Sequence, residues 1–154
     1  MKLVAPKLSY IEKTSFEECL KKMKFQDVHI DQNIQQRTII QDLTFDGCLF
    51  ENIDFTKVSL KHLDLIDVTF DKCDLSNQNF DHQYLNRVQF KNCKLTGTSF
   101  IETNLKMFYL IIVRDVIVIY HQVNCSMLCL IIVIYKKHHF MMQTLKKYNL
   151  MKQI

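Results

Sequence analysis

The sequence predicts an all-β solenoid built from square coils over about residues 40–105, with an irregular N-terminal segment and an unrelated C-terminal tail. Three observations carry that prediction. An apolar residue stands at every fifth position: Ile40, Phe45, Phe50, Phe55, Leu60, Leu65, Phe70, Leu75, Phe80, Leu85, Phe90, Leu95, Phe100 and Leu105. Two residues before each lies a second, semi-buried column, running from Leu43, Cys48 and Ile53 to Cys93, Thr98 and Thr103. Finally, the 154 residues include only two Gly and one Pro, too few for many elements joined by tight turns. Such scarcity points to a repetitive backbone.

A period of five matches neither the 3.6 of a helix nor the 2 of a flat strand, so the backbone must turn once per unit. If four units close one coil, residue i stacks on residue i+20 at one inter-strand spacing, about 4.8 Å. Phe50, Phe70 and Phe90 then form one stacked column, and Phe80 and Phe100 another. The residue just before the centre is often short and polar, as in Asp54, Asp74 and Asn79.

The units CDLSN (73–77), QNFDH (78–82), CKLTG (93–97) and TSFIE (98–102) resemble the pentapeptide-repeat family. That resemblance implies a right-handed quadrilateral β-helix. The segment FKNCKLTGTSFIETNLK (90–106) is further similar to the Qnr-type quinolone-resistance proteins of Gram-positive bacteria. This second resemblance implies a DNA-like shape and charge and, as partner, DNA gyrase or topoisomerase IV. It also implies a homodimer in a full-length parent, lost in this chain. A period defines a fold, whereas a partner has to be argued from a site.

Three segments follow. Residues 1–24 form an N-terminal segment, a short helix or cap, in which Ser15 and Glu18 have the spacing of a helix capping box. Residues 25–106 form the repeat, although Gln35 breaks the register near its start. Residues 107–154 form a non-repeat tail. The charge divides along the same lines. Residues 1–24 carry six Lys against three Glu (+3), residues 25–105 seven Lys/Arg against twelve Asp/Glu (−5), and residues 106–154 seven against Asp115 alone (+6). The basic balance belongs to the ends, so it gives no ground for direct nucleic-acid binding.

After Lys106 the repeat dissolves into β-branched residues. Arg114, Asp115, His121 and Gln122 interrupt the apolar run, and CSMLCLIIVIY (125–135) is shorter than the ~20 residues a membrane span needs. A dimerisation strand or cap is a second reading; a slipped reading frame is the third, and the genetic code supports it. Joining the last base of one codon to the first two of the next forces Leu or Ile across Ile119–Tyr120 and across Ile134–Tyr135. The same operation forces Leu across Asn124–Cys125 and Phe or Leu across His139–Phe140. Positions 120, 125, 135 and 140 continue the register of five, while Arg114–Asp115 does not fit. Residues 107–154 are accordingly read as an out-of-frame tail on a truncated repeat protein. Runs such as LCLIIVIYKK pair high β-propensity with few charges, so the tail is expected to aggregate.

No nucleophile–base pair, phosphate loop or carboxylate dyad stands out, so no catalytic residue and no cofactor are expected. His29, His62 and His82 lie among outward polar positions. With no secretory signal, a cytoplasmic location is expected, where the six Cys remain thiols. No CxxC or Cys/His spacing resembles a zinc site, so no metal is expected, and Cys73 and Cys93 read as small core thiols. The one feature with functional content is an acidic face: Asp46, Glu51, Asp67, Asp71, Asp81 and Glu102. A ladder of carboxylates can imitate phosphates before a basic groove, although Lys61, Lys72, Arg87 and Lys91 interrupt this one.

Overall fold

A computed structural model describes residues 5–8 and 11–111 and, beyond them, backbone strands at 118–119, 124–125 and 129–132. Short strands dominate. The first are β1 (Glu12–Lys13), β2 (Phe25–Gln26), β3 (Val28–Ile30), β4 (Thr38–Gln41), β5 (Thr44–Asp46) and β6 (Leu49–Glu51). They continue as β7 (Val58–Lys61), β8 (Asp64–Ile66), β9 (Thr69–Asp71), β10 (Tyr84–Lys91), β11 (Thr98–Ser99) and β12 (Asn104–Ile111). The last are β13 (Val118–Ile119), β14 (Asn124–Cys125) and β15 (Cys129–Ile132). Among the described residues there is one α-helix, α1 (Phe16–Lys22).

The strands pair in parallel, and nearly always with a partner twenty residues away. Phe25 lies beside Phe45, Phe45 beside Leu65, Leu65 beside Leu85 and Leu85 beside Leu105. Likewise Ile30 lies beside Phe50, Phe50 beside Phe70 and Phe70 beside Phe90. Each coil therefore takes twenty residues, and the molecule is an all-β solenoid.

The period of five follows from what each position does. All thirteen central residues from Phe45 to Leu105 are buried along the axis. Their rings stack with a tight repeat: Phe50–Phe70 at 5.1 Å, Phe70–Phe90 at 5.0 Å and Phe80–Phe100 at 5.2 Å between centroids. Each such side chain contributes roughly 1.5–3 kcal/mol by leaving water. From Cys48 onward the column two residues earlier is buried too, and four of its small members have a shared bond. Cys73 Sγ donates to Phe50 O, Cys93 Sγ to Phe70 O, Thr98 Oγ1 to Leu75 O and Thr103 Oγ1 to Phe80 O, each 23 residues back. A small side chain with one donor thus fits that site and satisfies the carbonyl of the coil before it.

The short polar residue before the centre also has a cause. Asp54, Asp74 and Asn79 each accept the N–H two residues on, from Thr56, Ser76 and Asp81, at 2.8–3.0 Å. These are Asx turns, which bend the chain at the unit's midpoint.

The turns between units differ from expectation in a useful way. The second residue after each centre has positive φ at Asp42, Gly47, Asn52, His62, Asp67, Lys72, Asn77, His82, Arg87, Asn92, Gly97 and Glu102. Lys57, inside the 3-10 turn Phe55–Lys57, is the exception in that run. Left-handed backbone costs a non-glycine residue roughly 1–2 kcal/mol, least for Asn and Asp. The solenoid therefore makes a turn every five residues with almost no glycine, and the inter-coil bonds hold those turns. Asn52 N donates to Asp71 O at 2.9 Å, Lys72 N to Lys91 O at 2.8 Å and His82 N to Ile101 O at 2.9 Å.

The N-terminal end is covered. Ser15 Oγ accepts from Glu18 N at 3.2 Å and starts α1, and Met23 ends it with φ 49°. Helix α1 places Phe16 against the open end of the axis, stacked on Phe50 at 5.5 Å and edge-on to Phe55 at 5.8 Å. Where Gln35 breaks the register it is exposed, and Ile34 packs against the core instead. Ahead of the helix, the backbone N–H of Lys7 donates to Asp67 Oδ1 at 2.8 Å across 60 residues of sequence.

At the other end, β12 runs through Lys106, pairing Phe108 with Val88 and Leu110 with Phe90. Strands β13 and β14 keep the spacing of twenty, with Thr98 beside Val118 and Asn104 beside Asn124. Strand β15 pairs with β12 at a spacing of 21, Phe108 beside Cys129. Positions 120, 135 and 140 of the out-of-frame reading lie outside the described residues.

Candidate functional site

The acidic positions are set by the coil. Glu51 and Asp71 are register partners on β6 and β9. Asp31 follows Ile30, the partner of Phe50, and so extends that column one coil toward the N-terminus. Asp31, Glu51 and Asp71 thus form one line of carboxylates, succeeded by Lys91.

Cations of the chain already meet this line. Lys13 lies 2.6 Å from Asp31, Lys72 3.8 Å from Glu51 and Lys91 3.1 Å from Asp71, and the His29 imidazole lies 3.3 Å from Glu51. Asn92 Nδ2 also donates to Asp71, at 3.2 Å. Asp81 accepts from Ser99 Oγ and from the N–H of Ile101, and Glu102 faces His82 at 3.3 Å. Asp46 is half-buried and carries no ion pair among the described residues.

Asp67 differs most from its expected place on the surface. It is 6% exposed, and Arg87, one coil on, grips both carboxylate oxygens at 2.5 Å through Nε and Nη2. Burial alone would raise its pKa, but the Arg87 bonds and the Lys7 N–H outweigh that and hold the carboxyl below its ordinary range. Asp74 behaves in the same way, with burial overcome by Ser76 and Lys94. The acidic face read from the sequence leaves out Asp31 and Lys94, and it leaves out Asp54 and Asp74, which the period marks only as short polar positions. The spacing 31, 51, 71 was the signal for the first of these.

Three ion pairs share one geometry. Asp67–Arg87, Asp71–Lys91 and Asp74–Lys94 each join residues twenty apart. Carboxylates around one coil are therefore met by bases around the next.

Among the described residues the thiols are core groups. Cys48, Cys73 and Cys93 are buried, and burial pushes the Cys48 thiol up to about 12 and Cys73 well above the ordinary range. A thiol held protonated is a poor nucleophile. Among the described residues no three or more His, Cys, Asp or Glu side chains converge as metal ligands. No helix among them is long and apolar enough to cross a membrane.

Two family profiles match the chain. One, described as pentapeptide repeat region, covers residues 63–110. The other, described as pentapeptide repeats (8 copies), covers residues 40–77. No curated protein matches it significantly.

Proposed function

From the pentapeptide-repeat region that residues 40–110 form, we propose a non-enzymatic binding protein that mimics DNA and docks on a type II topoisomerase, DNA gyrase or topoisomerase IV. In this reading the coil is a right-handed quadrilateral β-helix, the protein is cytoplasmic, and its contact with topoisomerase protects the enzyme from quinolones. The full-length parent is a homodimer.

The observation that supports it is the Asp31–Glu51–Asp71 column. Its carboxylates repeat at about 4.8 Å, one per coil. A DNA strand repeats its phosphates at about 3.4 Å, so a basic groove that tracks phosphates meets a similar, sparser line of charge. The neighbouring cations reduce that charge without removing it, because residues 25–105 hold seven Lys/Arg against twelve Asp/Glu.

A gyrase supercoiling assay with a fluoroquinolone tests the proposal. The chain, or a version with the alternative frame restored after Lys106, is expected to relieve inhibition. The triple variant Asp31→Asn, Glu51→Gln, Asp71→Asn is expected to lose that relief. Absence of relief from both chains would sink the reading.

Two further readings each have an observation in their favour. The ion pairs Asp67–Arg87, Asp71–Lys91 and Asp74–Lys94 neutralise the coil internally, as suits a structural rod with another partner. The forced Leu, Ile and Phe readings across 119–140 favour a truncated, inactive product. Relief by the frame-restored version alone would select the latter, and the gene sequence across Lys106 would show the displaced base.

A further inference from the structure

One turn of the solenoid stacks Asp42, His62, His82 and Glu102, each twenty residues from the next. All four have left-handed backbone, with φ of 57°, 49°, 59° and 52°. The pairings Gln41 with Lys61 and Asp64 with Tyr84 fix the coils on either side of the turn. Backbone bonds Asp42 N to Lys61 O (3.3 Å) and His82 N to Ile101 O (2.9 Å) tie the His62 turn to the coil before it and the His82 turn to the coil after it, and the Asp64–Tyr84 pairing sets the step between the two. Two imidazoles are thus held on adjacent coils, with a carboxylate before and a carboxylate after them.

The ring nitrogens divide the work. His62 Nδ1 faces Asp42 Oδ1 at 3.4 Å, and His82 Nδ1 faces Glu102 Oε2 at 3.3 Å. A carboxylate beside Nδ1 favours the proton there and leaves the lone pair on Nε2, the arrangement metal-binding histidines use. Both rings are open to solvent, with side chains 76% and 68% exposed.

We propose that His62 and His82 together bind one divalent transition-metal ion, of the Zn2+, Ni2+ or Cu2+ type, through their Nε2 atoms, with Asp42 and Glu102 as positioning residues. Coils about 4.8 Å apart suit this. Bonds of about 2.0–2.1 Å to a tetrahedral ion put two nitrogens roughly 3.3 Å from each other, within the swing of both side chains. Imidazole suits these ions, and water completes the shell because the chain supplies two ligands. No local motif announces the pair, since a spacing of twenty becomes a contact only once the chain is coiled.

Calorimetric titration of the full chain with Ni2+ and with Zn2+ tests this without reference to topoisomerase. His138 and His139 are replaced by Asn in every sample, because adjacent histidines also take such ions. One ion per chain is expected. His62→Asn or His82→Asn should weaken binding at least tenfold; Asn suits the left-handed turn, and circular dichroism confirms that the coil persists. Asp42→Asn should weaken it about tenfold, as loss of an orienting carboxylate does. Absence of binding, or equal binding by the parent chain and the folded His62→Asn and His82→Asn variants, would overturn the proposal.

Discussion

Phe70 has a ring of the stack on either side of it, Phe50 at 5.1 Å and Phe90 at 5.0 Å. Removing it opens a void in a column that the backbone holds at fixed pitch, so collapse is limited. Phe70→Ala is expected to cost about 3–5 kcal/mol in denaturant unfolding, whereas Tyr84→Ala, at a half-exposed position, should cost under about 1 kcal/mol. Asp67 gives a pH prediction. Its folded pKa lies below the ordinary value, so its contribution to stability is fully present above the unfolded pKa, about 3.9. That contribution is lost as pH falls through the folded value. Thermal melts from neutral pH down through that window should fall more steeply for the parent chain than for Asp67→Asn. Equal slopes would mean the carboxylate is not held by Arg87. The central and semi-buried columns could be read at this scale because one residue type recurs at one spacing. Burial of Asp67 could not, because its partners lie 20 and 60 residues away and nothing local marks them.

At the scale of elements, helix α1 closes an end that would otherwise present Phe50 and Phe55 to water. Ser15→Ala removes the side-chain bond to Glu18 N and should cost about 1 kcal/mol. Phe16→Ala should cost more, since the ring and not the helix seals the axis; amide exchange is expected to rise first in β2 and β3. If exchange rises uniformly along the coil, α1 is not a cap. The Ser15 and Glu18 spacing is visible in sequence, yet the docking of Phe16 is not, because it depends on which rings form the end. Turns were the least legible elements. Lys72, Arg87 and Glu102 carry no turn signal, and their left-handed backbone is imposed by the coils above and below them. Few glycines therefore meant a turn held by its neighbours and not the lack of one.

At the scale of the whole molecule, stacking every twenty residues is what turns sequence distance into contact. It aligns the acids at 31, 51 and 71, puts His62 and His82 on successive coils, and sets Arg87, Lys91 and Lys94 over Asp67, Asp71 and Asp74. Both the proposed partner face and the proposed metal site depend on that register. A double-mutant cycle on Asp67 and Arg87 measures it most directly, with Asp67→Asn, Arg87→Gln and the pair compared by denaturant unfolding. Stacked coils predict a coupling of about 2 kcal/mol between these two residues. Effects that add within about 0.5 kcal/mol would place the two side chains out of contact and contradict the coil.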